Sequence, residues 1–135
     1  MSKLATRITA GIAAVGAMAV IGLPAMAQGS LSMLGGLDRG NWEVRNRDGG
    51  TVRNICVRNG QEFIQLRHVG SQCNRFVVED GKQQVTVQYT CKGNGYGRTN
   101  IRRESDQLVQ IDSQGISSGR PFQFSAEARY TGRCR

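Results

Sequence analysis

A chain of 135 residues leaves room for one ordinary domain and a modest core. It carries 18 basic against 10 acidic residues, a formal net charge of +8 at pH 7, which suits anionic partners. Aromatic residues make up only 6%, too few to interleave with the basic ones as a nucleic-acid surface requires, so no nucleic-acid partner is expected.

The first 27 residues read as a cleavable secretory signal. Lys3 and Arg7 give a positive start, the 14 residues from Ile8 to Ile21 are uncharged, and Pro24 precedes the small-residue exit Ala25-Met26-Ala27. The uncharged run is short of the roughly 20 residues that span a bilayer. Cleavage after Ala27 predicts a mature chain of 108 residues from Gln28 to Arg135, without a membrane span. Loss of Lys3 and Arg7 leaves 16 basic residues and a net charge of +6. Residues 28–40 are small and Gly/Ser-bearing and are expected to form a flexible leader, with a single disulfide-bonded β domain over 41–135.

From Asn41 onward the dominant signal is alternation of apolar and polar residues at period two. Asn41–Arg47 and Thr51–Val57 flank Asp48-Gly49-Gly50, a hairpin signal because glycine adopts positive φ without steric cost. Asn59 followed by Glu62 is an imperfect capping box, and Phe63, Ile64 and Leu66 cluster as on a short helix reaching about His68. Further strands are predicted over Arg75–Glu79, Gln83–Cys91, Arg98–Arg103 and Leu108–Ser113, with a last one carrying Phe122 to Tyr130. About seven short strands with tight links predict an all-β fold with one short helix. The expected form is an antiparallel meander, either a curved open sheet or a small up-and-down barrel. Trp42, Val85, Val87, Tyr89, Phe122 and Phe124 lie on the apolar faces and are the predicted core.

Four cysteines, Cys56, Cys73, Cys91 and Cys134, lie in the mature part. An even count in a small exported domain points to two disulfides. None of the spacings is the close pair that structural zinc sites use, so no metal site is expected. Consecutive pairing of strands would join Cys56 to Cys73 across the helical excursion and Cys91 to Cys134 at the C-terminus.

Four motifs then occur in order: Gly40-Asn41-Trp42-Glu43, a cysteine after the first hairpin, Tyr89-Thr90-Cys91 before a glycine-rich turn, and the ending Ala128-Arg129-Tyr130-Thr131-Gly132-Arg133-Cys134. Together they resemble the small exported proteins of Gram-negative bacteria grouped as domain of unknown function 3617, over roughly Gly40 to Cys134. The resemblance implies an exported β domain with paired cysteines and brings no reaction or catalytic residue. Many relatives have a Met- and Pro-rich stretch after the Trp-Glu strand, where this chain has only Asp48-Gly49-Gly50.

His68 is the only histidine. With Glu62 and Arg67 it could serve a small exported hydrolase, ribonuclease-like or glycan-acting. The simpler reading is a polar residue ending a short helix. No nucleophile elbow or HExxH motif is present, and neither a catalytic residue nor a cofactor is assigned. The glycines at 93, 95 and 97 join two strands and so read as a hairpin connection, since a phosphate loop would lead into a helix. Fourteen of the 16 mature basic residues are arginine, whose planar fork suits phosphate and carboxylate groups. Arg98 and Arg102 share one strand face, and Arg45 and Arg47 another. These four are the candidate anion-contacting residues of a periplasmic binding or envelope-accessory module. Its expected partners are lipid phosphates, lipopolysaccharide, peptidoglycan carboxylates or another envelope protein, the last in a purely structural role.

Overall fold

The computed structural model describes residues 29–135, so the predicted signal segment and its cleavage site lie outside the described residues. Seven strands form one antiparallel sheet: β1 (Gly40–Asn46), β2 (Val52–Val57), β3 (Cys73–Asp80), β4 (Gln84–Cys91), β5 (Gly95–Ser105), β6 (Leu108–Ser117) and β7 (Arg120–Gly132). Their order is β2-β1-β7-β6-β5-β4-β3. Strands β3 to β7 are a meander, as short links dictate. The β1–β2 hairpin does not continue it at the near end. It adds to the far side, where Val44 pairs with Ala128 of β7. The sheet is open, with β2 and β3 as its edges.

The predicted alternation sets one face of the sheet inward, interrupted by bulges at Val77/Glu79 in β3 and Arg103/Ser105 in β5. Trp42, Val44, Val85, Val87, Tyr89, Ile101, Val109, Ile111, Ala126 and Ala128 are buried there. Phe124 only packs against the margin of this core, and Phe122 lies outside it. Phe122 instead stacks on Phe124 and turns an edge toward His68, with the Arg67 guanidinium over its ring. Opposite Phe122 the neighbouring strand carries Gly115, which has no side chain to extend the apolar layer.

Two segments outside the strands complete the core. Residues 29–40 are not a loose leader: Leu31, Met33, Leu34 and Leu37 are buried, with a single helical turn, α1 (Ser32–Gly35), among them. Apolar spacing every three or four residues carries these side chains inward despite the flanking glycines. The excursion between β2 and β3 is shorter in helix than predicted, a 3-10 turn at Gln61–Phe63 followed by further i to i−3 turns. Gly60 enters it with φ 78, where a Cβ would stand 2.5 Å from the Leu34 carbonyl oxygen. Glu62 reaches back to the backbone N–H of Arg58 at 2.9 Å, one residue earlier than a capping box would place it. Phe63, Ile64 and Leu66 then fall on the sheet. The Thr99 hydroxyl donates to the Ile64 carbonyl at 2.6 Å and accepts from Ser113 at 2.8 Å, pinning the excursion in place.

All four cysteines are bonded, but not as consecutive pairing predicts: the bridges are Cys56–Cys134 and Cys73–Cys91. The topology explains the correction. Cys73 and Cys91 face each other directly in the β3–β4 ladder. Cys56 is opposite Asn41, which is in turn opposite Gly132, so Cys134, two residues beyond β7, reaches Cys56 across the start of β1. Two closed disulfides fit an oxidising, exported environment. Among the described residues no helix is long and apolar enough to cross a membrane.

Candidate functional site

Alternation puts all four predicted arginines on the outer face of the sheet, one surface and not two. Three of them are already engaged. Arg45 pairs with Glu43 at 2.8 Å, a hydrogen bond that raises its pKa, and Arg102 pairs with Glu104 at 3.4 Å. Arg47 donates to Gln110, whose amide donates to Glu127 at 3.1 Å. That bond, followed by the one from Arg129, holds the Glu127 carboxyl below its ordinary pKa. Arg98 differs: among the described residues its side chain makes no hydrogen bond or ion pair.

Register extends the contrast to whole rows. Glu79, Thr86, Asn100, Asp112 and Ser125 lie across five strands, and their side chains bond to one another. The next row toward the glycine-rich turn is Phe76, Gln88, Arg98, Gln114 and Gln123. Its four polar members have no side-chain hydrogen bond among the described residues. Beside it Tyr96 is 50% exposed, and Phe76 at its end is 56% exposed. Gln88, Tyr96, Arg98, Gln114 and Gln123 line a depression of about 620 Å³.

The triplet considered for hydrolysis does not converge. His68 is only 1% exposed. Its Nε2 lies 2.9 Å from the Asn94 carbonyl oxygen, which can only accept, so Nε2 carries the proton. Nδ1 then accepts from the Tyr89 hydroxyl at 3.0 Å. Burial raises the pKa of that phenol and so keeps it a donor. Both imidazole nitrogens are occupied by the fold, while Arg67 is exposed over Phe122 and Glu62 is bonded to the backbone N–H of Arg58. Replacing His68 with alanine strands the Tyr89 hydroxyl and the Asn94 carbonyl. The expected cost is about 2–3 kcal/mol in urea unfolding. A loss under about 0.5 kcal/mol would mean that the imidazole is not part of the buried frame.

A further groove involves two arginines, Arg53 and Arg75, that residue type alone does not single out. Between β2 and the excursion runs a groove of about 830 Å³, lined by Arg53, Asn54, Ile55, Gln61, Glu62, Gln65, Leu66 and Arg75 among others. Arg53, from β2, donates to the Leu66 carbonyl at 3.0 Å. Arg75, from β3, donates to Gln61 and Gln65, both at 2.9 Å. The two edge strands thus grip the excursion from either side. Burial lowers both arginine pKa values, helped at Arg53 by Arg67 and opposed at Arg75 by Glu62. A usable signal was present: each arginine shares strand parity with apolar neighbours (Ile55 and Val57, Cys73 and Val77), a register that forces charge inward. Among the described residues no group of His, Cys, Asp and Glu is arranged to hold a metal ion.

Comparison of the chain with protein-family models, with curated proteins and with solved structures gave no match.

Proposed function

We propose that this is a non-catalytic binding module of the bacterial envelope, exported to the periplasm, that holds an anionic envelope component against the outer face of its sheet. The observation that carries the reading is the row Gln88–Arg98–Gln114–Gln123, four adjacent polar side chains with unspent donors and acceptors, next to a row whose side chains bond to one another. Arg98 supplies the only charge in the row, and a guanidinium without an acid partner suits phosphate or carboxylate. Neighbouring strands stand about 4.8 Å apart, so the row offers a donor at each step to a ligand lying across the strands. Tyr96 offers a face for stacking at its margin. Membership of the domain of unknown function 3617 group belongs to the same reading.

Co-sedimentation with purified peptidoglycan, and with vesicles containing an anionic lipid, tests it. Retention on one of the two should fall with salt, as exposed charge interactions do. Arg98→Ala should weaken it about tenfold, the value of one charge-assisted hydrogen bond. Arg45→Ala, which removes a side chain already paired with Glu43, should leave it unchanged. Equal loss in both variants would reduce the effect to net charge, and no retention on either material would overturn the reading.

A further inference from the structure

The inner face of the sheet does not stay apolar to its end. Along β1 the inward positions run Trp42, Val44, Asn46, and along β2, read backwards, they run Val57, Ile55, Arg53. Thr51, just before β2, has the same parity. The covered face of an antiparallel sheet ordinarily takes apolar residues, yet here three polar side chains hold its register at the hairpin end. Leu66 and Arg67 of the excursion and Phe124 of β7 stand beside them, and the six together line a cavity of about 190 Å³. Its polar wall is rich in donors. Arg53 gives one N–H to the Leu66 carbonyl and keeps the rest of its fork. The side chains of Asn46, Thr51 and Arg67 have no hydrogen bond among the described residues. No carboxylate lines the cavity, and neither arginine makes an ion pair among the described residues. The two guanidiniums are close enough to act on each other: burial, then the charge of Arg67, lowers the Arg53 pKa. Two like charges thus face one cavity with no acid to offset their repulsion.

We propose that this cavity binds one phosphate group. Its oxygens lie between Arg53 and Arg67, whose planar forks match such a group, and accept from the Asn46 amide and the Thr51 hydroxyl. Donors from four side chains outnumber the two oxygens of a carboxylate and suit the tetrahedron of a phosphate. Leu66 and Phe124 form the apolar side of the site, where lower polarity strengthens the attraction between unlike charges. The chemistry is common to free phosphate and to a phosphate monoester carried on a larger molecule. The site is separate from the outer-face row, since Asn46, Thr51 and Arg53 hold inward positions of the β1–β2 hairpin and Arg98 an outward position of β5.

Backbone amide NMR titration of the intact, oxidised protein locates binding and separates the two sources. The probes are inorganic phosphate, glycerol phosphate and acetate, each balanced with chloride at constant ionic strength so that screening stays fixed. Saturable shifts are expected at residues 46, 51–53, 66–67 and 124 with at least one phosphate probe, and acetate should bind about tenfold more weakly. Tighter binding of the ester marks a phosphate carried on a larger molecule, and tighter binding of the inorganic ion marks free phosphate; either result supports the site. Arg67 is exposed, and Arg67→Gln should weaken phosphate about tenfold. Thr51→Val keeps the shape of the side chain and should weaken it about fivefold, a second measure that leaves both arginines in place. Arg58→Gln removes the same charge beyond the far end of β2 and should leave affinity unchanged. Circular dichroism melts confirm that the variants are folded. An Arg67→Gln loss no greater than that of Arg58→Gln would overturn the proposal. So would acetate binding as tightly as phosphate, or phosphate shifts that do not saturate or are confined to the row around Arg98. Failure of the outer-face reading leaves this outcome untouched, since the two sets of resonances do not overlap.

Discussion

Trp42→Ala is expected to lower stability by about 3–5 kcal/mol, the usual range for deleting a buried indole. Trp42 is fully buried, meets the Phe63 ring edge-on at 5.3 Å and the Tyr130 ring at 6.2 Å, and donates Nε1–H to the Asp38 carbonyl at 2.9 Å. One side chain therefore joins β1, β7, the excursion and the segment after α1. Truncation opens a cavity under all four and strands the Asp38 carbonyl. Trp42→Phe refills most of the volume but not the hydrogen bond, and should cost clearly less than the alanine. Urea unfolding followed by tyrosine fluorescence gives both values. A cost below about 1 kcal/mol for the alanine variant would show that the indole is not the hub described.

The second large effect concerns the bridge between Cys56 and Cys134, which closes a separation of 78 residues. In the chain-entropy account such a loop stabilises by about 4.5 kcal/mol, against about 3 kcal/mol for the 18-residue separation of Cys73–Cys91. The double variant Cys56→Ser/Cys134→Ser should therefore lose more stability than Cys73→Ser/Cys91→Ser. Peptide mapping under non-reducing conditions should recover a fragment joining residues 56 and 134. A fragment joining 56 to 73 would contradict the register of both edges of the sheet.

The strands were legible because each buries one face only, so alternation survives in the sequence from Trp42 and Val44 through to Ala126 and Ala128. Their order was legible only in part. Adjacent strands in the chain pair through short links, which correctly describes β3 to β7, but the excursion after Val57 breaks the chain of neighbours. Nothing in the local pattern says that β1 then seeks β7, and the cysteine pairing followed from that missing step. Residues 31–37 were hidden by the opposite problem, since glycine and serine around Leu34 look like a linker until a core is found for the leucines to fill. Among the arginines, residue type pointed to anion chemistry, but availability is a property of neighbours. Glu43, Gln110 and Glu104 silence three of the four, and only register across strands reveals that Arg98 stands among unbonded glutamines. Arg53 and Arg75 carry their signal in strand parity and not in residue type, each sitting in the register of buried apolar neighbours.

The pairing of β1 with β7 has a further consequence for how the molecule forms. Asn41 bonds to Thr131 across a separation of 90 residues, so the earliest strand of the domain finds its partner in the last. Contacts this distant are slow to form. Without β7, the β1–β2 hairpin has one satisfied edge and Trp42 lacks its Tyr130 neighbour. The seven-stranded order therefore closes last at the β1–β7 seam, between the two most distant strands of the domain.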